Sequence, residues 1–546
     1  MAEELSQNAR LAAAVIEAAI QSSVGEWVVC SGARNLPLVE TLMAMPERRR
    51  GKVWNFFEER AAAFFALGLS KNLVGRVAVI TTSGTAAAEL LPATIEAHYS
   101  GQPLLLITAD RPPEFRGSGA PQAIEQMDLL KPYAWRVVDW NSAGDGVQVA
   151  EFGHNDRPEH WNICLAEPLP GEIVLNVPAS VHDTDFERMR AEENLGGTLD
   201  QCFEVERFCR SKAERAGLLV LLGELSLDER ALVETALEKL GAPIWAEASS
   251  GLRESEILRS QLIRDGEKSL AAFEPKRVLR IGGVPSLRFW RDLEERTEID
   301  VMSLTRTGFS GLARESEVQV GVGAIAPWLI GETGNRSARV ENSRSDFLEA
   351  LLRKFPASEP ALFRRLSELI DSEALVFLGN SLPIREWNLA ASFDIPHAYC
   401  AANRGANGID GQVSTFLGMT ADAENSPAGA WGIFGDLTAM YDLSAPWVLP
   451  QLAGNCKRRI VVINNGGGRI FDRLPAVRDA SEEQVAVIRN GHKHDFGHWA
   501  SMWAMGYACW SAADAWIEPE EATAVIEARP DESQTTDFWR EWDAIQ

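Results

Sequence analysis

Short runs that are apolar at every position, and not merely at alternate ones, recur along this chain at helix-length intervals. EWVVC at 26–30, VWNFF at 53–57, RVAVITT at 76–82 and PLLLIT at 103–108 are such runs. Between and before them, positions 7–23, 36–45, 59–70 and 84–98 carry apolar residues at helical spacing. Successive strand residues point to opposite faces, so a continuously apolar strand needs both faces covered. The pattern predicts parallel sheets with helices on both sides. Ligands of such sheets bind beyond the carboxyl ends of the strands, in the loops that follow them.

At 546 residues the chain is too long for a single core. The strand–helix signal restarts with GLLVLLG at 217–223, IWAE at 244–247 and RVLRIGG at 277–283, and again with ALVFLG at 374–379, WGIFGD at 431–436 and RRIVVINN at 458–465. Polar stretches at 183–200 and 331–346 separate these blocks, which gives three α/β domains with boundaries near 185 and 356. A formal charge of −25, from 53 basic and 78 acidic residues, disfavours nucleic acid and anionic membrane surfaces as partners. Any anionic ligand then requires a locally basic site. No stretch approaches the roughly 20 apolar residues of a membrane span. The start, MAEELSQNARLAAAVIEAAI, has acids where a signal peptide carries positive charge, and reads as the first helix of a cytoplasmic protein. Seven scattered cysteines form no CxxC pair, as expected of reduced thiols.

VVINNGGGRIF, at 461–471, ends an apolar run in two carboxamides and three glycines. Upstream, Gly435-Asp436 ends the run WGIF, 28 positions before Asn464 and 29 before Asn465. That interval holds one helix and a return strand, so the two strand ends can meet at one sheet edge. A carboxylate and an amide oxygen meeting there suit Mg²⁺ bound to phosphate oxygens. The glycines allow close approach of backbone to phosphates, and the helix after Asp436 offers its N-terminal N–H groups. The bland alternative is an Asp helix cap and an Asn turn. The segment resembles the GD…NN signature of thiamine-diphosphate enzymes.

Such an enzyme also needs a carboxyl group against the cofactor's aminopyrimidine, in apolar surroundings that favour its protonated form. WNFFEERAAAFFALG, at 54–68, supplies one where a strand turns into a helix. Glu59 matches the family position, Glu58 is the local rival, and a solvent-facing acid pair at a helix start is the bland reading.

Six collinear segments narrow the resemblance: CSGARNLPLVETL (30–42), TTSGTAAAELLPATIEAHYSGQPLLLITADRPPEFRGSGAPQAIEQ (81–126), GNSLPIREW (379–387), NRGANGIDGQVST (403–415), GDLTAMYDL (435–443) and NNGGGRIFDRLP (464–475). Together they resemble the 2-succinyl-5-enolpyruvyl-6-hydroxy-3-cyclohexene-1-carboxylate synthases, the MenD enzymes of menaquinone biosynthesis. The resemblance implies a three-domain thiamine-diphosphate-binding α/β fold, each domain a mainly parallel sheet flanked by helices. Residues 1–185 would bind the pyrimidine, 186–356 form a central domain and 357–546 bind the diphosphate. It implies decarboxylation of 2-oxoglutarate and 1,4-addition of the remaining four-carbon unit to isochorismate. Thiamine diphosphate and Mg²⁺, or Mn²⁺ in its place, are the implied cofactors. The active site would lie between two subunits of a homodimer or homotetramer, Glu59 from one and Asp436 from the other.

Residue by residue, the resemblance places Glu59 and Gln122 in catalysis. It places Ser83, Gly84, Ile409, Gly435, Asp436, Leu437, Thr438, Asn465 and Gly467 at the cofactor, with Asp436, Asn465 and Gly467 on the metal. Arg34, Arg111, Gln122, Arg288, Ser381, Arg385 and Arg404 would bind the dicarboxylate substrates, since guanidinium pairs bidentately with carboxylate. Ile470, Phe471 and Leu474 would wall the ring substrate. The alternative for any one arginine is a surface ion pair. Ala33 stands where the family usually has serine, and Pro121 where asparagine is common; both changes touch substrate contacts.

His492, His494 and His498 do not share one helix face, and are expected at the site's rim instead of on a metal. Gly282-Gly283 after a strand mimics a dinucleotide loop, but no GxGxxG follows. Seventeen tryptophans are spread as core and interface residues are. Two rival functions stay open: another thiamine-diphosphate 2-oxo acid decarboxylase or acetolactate-type synthase, and a catalytically silent binding subunit of the same fold.

Overall fold

Each apolar run read from the sequence as a strand is a strand, and each of those strands is paired in parallel. The computed structural model describes residues 6–72, 76–142, 157–168, 199–210, 217–323, 325, 339–397, 399–422, 428–452, 454, 456–474, 477, 479–511 and 514–544. Two compact units share the chain. The first is Met1–Glu193 with Asp410–Glu424 and Tyr441–Ala453, and the second is Asn194–Ile409 with Asn425–Met440 and Gly454–Gln546. The stretch 183–198 and the first half, 331–338, of that at 331–346 lie outside the described residues, whereas residue 356 falls between the helices Ser345–Lys354 and Glu359–Leu369.

The first unit holds a six-stranded sheet of β1 (Val24–Cys30), β2 (Lys52–Phe56), β3 (Arg76–Thr81), β4 (Leu104–Asp110), β5 (Arg136–Trp140) and β6 (Glu159–Cys164), in the order β2-β1-β3-β4-β6-β5. β4 is buried at every residue, as its apolar run requires, and β6 is equally buried although it carries Glu159, His160 and Asn162. The helix expected over 84–98 is two, Thr85–Glu89 and Leu91–Ser100. Pro92 sits in the first turn of the second, where a missing N–H costs no helical bond.

The helix Glu59–Asn72 is buried without interruption from Ala61 to Ser70, so it is covered all round. One partner is the fully buried helix Gln412–Met419, which arrives some 350 residues later in the chain. Their axes approach closely because glycines meet backbone: a Cβ at Gly68 would lie 2.0 Å from the Thr415 carbonyl oxygen, and one at Gly418 would lie 2.1 Å from that of Phe65. Buried Asp442 secures the start of the second helix, accepting the Ser414 N–H at 2.7 Å and its hydroxyl at 2.9 Å.

The second unit holds two sheets. One has the order β11-β10-β9-β7-β8, built from β7 (Leu218–Leu222), β8 (Ile244–Ala246), β9 (Arg277–Ile281), β10 (Asp300–Thr305) and β11 (Glu317–Val320). Gly282-Gly283 follows β9, and a Cβ at Gly282 would lie 2.4 Å from the Glu224 carbonyl oxygen. The glycine pair serves backbone packing between the ends of β7 and β9. The other sheet has the order β13-β12-β14-β15-β17-β16, from β12 (Leu375–Leu378), β13 (Cys400–Ala401), β14 (Ala430–Gly435), β15 (Arg458–Ile463), β16 (Gly506–Trp510) and β17 (Thr523–Ala528). β15 is central and buried at all six positions.

Burial pushes the Asp442 carboxyl up to about 6, against the pull of the two Ser414 bonds. A raised folded-state pKa means that folding takes up a proton between about 4 and about 6. The stabilising contribution is present below the unfolded pKa and is lost as pH rises through 6. Asp442→Asn removes this titration. The thermal midpoint of the wild-type chain relative to Asp442→Asn should therefore be higher at pH 5 than at pH 7, the full linkage being worth up to about 3 kcal/mol. A difference independent of pH would refute the assignment.

Candidate functional site

β14 and β15 are neighbours with Gly435 opposite Ile463, so Asp436 and Asn464 leave the same sheet edge side by side. Asp436 is buried and densely bonded. Its Oδ1 accepts the Leu437 N–H at 2.7 Å, and its Oδ2 accepts the N–H groups of Gly466 and Gly467, each at 2.9 Å. His492 Nε2 stands 3.1 Å from the same Oδ2. Burial pushes the carboxyl above the usual range, while the backbone donors and His492 pull it down. The helix that follows is only Asp436–Tyr441, with Thr438 buried and Leu437 half-buried.

The two carboxamides divide their work. Asn464 donates to the His494 carbonyl and to Glu527, both at 2.8 Å, and so braces the loop. Asn465 donates to Glu359 Oε2 at 3.0 Å, and its Oδ1 is buried with no hydrogen-bond partner. A buried amide oxygen left so is available to a ligand that completes its bonding. Glu359 is pushed up to about 7, mainly by burial, with the Asn465 bond pulling down and nearby Asp436 adding to the rise.

The glycines also meet a constraint inside the loop itself. Gly466 and Gly467 have φ of 82° and 130°, and their N–H groups are spent on Asp436. A Cβ on Gly467 would lie 2.6 Å from the Arg489 carbonyl oxygen. That oxygen accepts the Gly468 N–H at 2.6 Å, and the Gly466 carbonyl accepts the His492 N–H at 3.2 Å. The chain from Arg489 to His492 is thus a strap laid across the glycine loop. His492 belongs to the strap and reaches Asp436, deeper than the rim position expected of the histidines. His494 and His498 are exposed.

In the first unit, Glu59 opens its helix and is half-buried; on the strand before it and within the helix, Trp54 and Phe56 each lie with their rings 5.1 Å from that of Phe65. Burial pushes its carboxyl up, its own backbone N–H pulls it down, and Glu58 and Glu89 add to the rise. Glu58 is committed elsewhere. It accepts the N–H groups of Arg60 and Ala61 at 3.1 and 3.0 Å and the Ser444 hydroxyl at 2.8 Å, which makes it the helix cap. Ser83 is buried, and Gly84, at φ 81°, packs against the Cα of Gln122, itself exposed at φ 57°. The Gly84 N–H is held by Gln126 at 3.0 Å, whose amide nitrogen in turn binds Thr108, Ala109 and Asn162.

The arginines fall into three situations. Ser381, Arg385 and Arg404 gather beyond the carboxyl ends of β12 and β13. Arg404 is buried, donating to Asn380 Oδ1 at 3.0 Å and the Val284 carbonyl at 3.3 Å. Arg385 is exposed and bonds the Ser381 carbonyl at 2.5 Å; desolvation and the Arg404 charge both push its pKa down. Ser381 has φ 71°, a left-handed conformation rare for serine. Arg34 is buried and paired with exposed Glu167 at 2.6 Å, an arrangement like the plain ion-pair alternative. Arg111 donates to the Pro121 carbonyl at 3.0 Å, and Arg288, exposed, lies 3.7 Å from Asp292. Ile409 is half-buried. Ile470, Phe471 and Leu474 follow the glycine loop on the turn Arg469–Arg473, half-buried to exposed.

Glu359, Gln126 and Glu247 were not singled out from the sequence, and His492 was noted only as one of three rim histidines. Glu247 is fully buried and accepts the Ser286 N–H at 2.6 Å, steadying the segment whose Val284 carbonyl meets Arg404. Glu359 and Glu247 are single polar residues with no motif around them, and Gln126 is the last residue of the segment 81–126, where nothing local marks its role.

Residues 9–129 match the family model described as "Thiamine pyrophosphate enzyme, N-terminal TPP binding domain". A 2-succinyl-5-enolpyruvyl-6-hydroxy-3-cyclohexene-1-carboxylate synthase of Akkermansia muciniphila is 41% identical, over 93% of this chain and 94% of that one. The enzyme of the same name from Bdellovibrio bacteriovorus is 39% identical over 98% and 99%. Among solved structures, a thiamine-diphosphate-dependent 4-hydroxybenzoylformate decarboxylase of Rhodococcus jostii superposes with a TM-score of 0.67 at 16% identity, over 96% of this chain and 99% of that one. This last likeness is one of fold.

Gly467→Ala tests the strap. Its Cβ meets backbone in a conformation that only glycine adopts freely, so stability should fall by about 1–3 kcal/mol, and tryptic cleavage after Arg489 should quicken. Cleavage at the wild-type rate would show that the strap does not depend on this approach.

Proposed function

The chain belongs to the 2-succinyl-5-enolpyruvyl-6-hydroxy-3-cyclohexene-1-carboxylate synthase family, and from that premise we propose that it is the thiamine-diphosphate-dependent carboligase of menaquinone biosynthesis. It decarboxylates 2-oxoglutarate and adds the four-carbon remainder to isochorismate. The observation that carries the reading is the buried, unpartnered Oδ1 of Asn465 on the loop that Asp436 clasps. A carboxylate and an orphaned amide oxygen form a hard-ligand set that fits Mg²⁺ or Mn²⁺.

In this reading Asp436, Asn465 and the Gly467 main chain hold the metal. Gly435, Leu437, Thr438, Ser83, Gly84 and Ile409 receive the cofactor. When bound, thiamine diphosphate would supply an acidic C2–H, hence a nucleophilic carbon for the keto group of a 2-oxo acid, and a cationic ring able to take up the electron pair released as CO₂ leaves. Glu59, raised by burial, holds a proton at its carboxyl oxygen for the aminopyrimidine. Arg385 and Arg404, with Ser381, bind substrate carboxylate; Arg34, Arg111 and Arg288 complete the basic lining, and Gln122 orients the keto group. Ile470, Phe471 and Leu474 keep water from the ring acceptor. We take the domains as 1–185, 186–356 and 357–546, and the assembly as a homodimer or a dimer of dimers, Glu59 of one subunit serving Asp436 of the partner subunit. No helix among the described residues is long and apolar enough to cross a membrane, and we place the enzyme in the cytoplasm.

Mass-spectrometric analysis of a reaction with 2-oxoglutarate, isochorismate, thiamine diphosphate and Mg²⁺ should show the succinyl adduct of isochorismate. An aldehyde or acyloin formed without regard to isochorismate would replace this reading with a simple decarboxylase or acetolactate-type synthase. The two neighbouring acids provide a sharper test of mechanism. Glu59→Gln should bind cofactor yet lose C2 proton exchange. Glu58→Ala should lose about 1 kcal/mol of helix capping and keep the exchange. Exchange undiminished in Glu59→Gln would remove Glu59 from its role.

A further inference from the structure

A carboxamide is nearly symmetric in shape but not in chemistry. Its oxygen can ligate a cation, and its NH₂ group repels one. Which end of Asn465 faces the metal must therefore be fixed by something else in the structure. Asn465 Nδ2 is bonded to Glu359 Oε2 at 3.0 Å, and Oδ1 is left buried and unpartnered. The Glu359 main chain is fixed at the start of the helix Glu359–Leu369 behind its cap Ser358, its N–H donating to Thr535 Oγ1 at 2.9 Å, and its side chain is confined by burial, at 2% exposed, with Oε2 on Asn465 and Oε1 without a hydrogen-bond partner. The Asn465 main chain is tethered independently, its carbonyl accepting the Arg469 Nε–H at 3.1 Å. With backbone and NH₂ group both fixed, the oxygen has one direction left.

We propose that Glu359 is a positioning residue that orients the Asn465 carboxamide, holding its NH₂ group so that the oxygen faces the divalent cation. Residues that orient metal ligands typically change metal affinity by about 10–100-fold when altered. The inference rests on the reading of Asn465 as a metal ligand.

The test is an Mg²⁺ titration of the full-length apo-protein with saturating thiamine diphosphate, followed by tryptophan fluorescence, with the apo thermal midpoint as the measure of folding. In Glu359→Gln the new amide no longer dictates which end of Asn465 faces it, and the half-saturating Mg²⁺ concentration should rise about tenfold or more. The reciprocal double variant Glu359→Gln/Asn465→Asp restores a donor facing an acceptor, with the second carboxylate oxygen free for the metal. It should return to within about threefold of wild type, a rescue that a purely structural role for Glu359 would not produce. An unchanged Mg²⁺ requirement in Glu359→Gln, or a double variant no tighter than the single one, overturns the proposal. Should Glu359→Gln fail to fold, the double variant decides alone: near-wild-type affinity supports the pairing, and tenfold weaker binding overturns it. Asn465→Ala separates the two levels. A wild-type metal requirement there overturns the ligand reading and this inference together, whereas a lost requirement with an unaffected Glu359→Gln overturns the positioning role alone.

Discussion

Asp436 is the group on which the candidate site depends. A carboxylate taken from water needs several donors, and this one draws three backbone N–H groups and an imidazole around itself. Two of those donors belong to Gly466 and Gly467, so satisfying the acid also sets the path of the loop after β15. That path leaves Asn465 beside Glu359 with its oxygen unspent, and brings the strap from Arg489 to His492 down on the glycines. One buried charge thus organises a strand end, a loop and a distant segment.

A comparable economy governs the first unit. The helix that begins at Glu59 is apolar all round and would not be stable on a sheet alone. It is completed by Gln412–Met419, pressed in at Gly68 and Gly418 and capped by Asp442. The same helix start divides two adjacent glutamates by geometry. Glu58, one residue before the first turn, is consumed by the free N–H groups there, and Glu59 keeps its carboxyl available in a half-buried position. Capping and chemistry are separated by one residue.

Much of this was legible in the chain. RVAVITT, PLLLIT and RRIVVINN announce buried parallel strands, because only a strand covered on both faces is apolar at each position. The 28-residue interval from Asp436 to Asn464 foretold neighbouring strand ends, since it has room for one crossover and little more. Pro92 marked the break at the middle of the helix read at 84–98, but an otherwise continuous apolar period masked it. The glycine triplet was visible and its reason was not: Gly467 answers to the Arg489 carbonyl, which lies 22 residues away and has no side-chain signature. Glu359 escaped notice because SEPAL is what any acid-started helix looks like.

The sequence by itself determined the strands, their parallel pairing and which loops carry acids, amides and arginines, because hydrophobic period and turn chemistry are local properties written residue by residue. The tertiary structure alone decided which of two asparagines braces and which presents an oxygen, which of two glutamates caps and which stays available, and which arginines are already paired. Those distinctions rest on hydrogen bonds to residues far off in the chain, such as Glu359, Ser444 and Glu167, and a bond's existence depends on where folding brings its partner.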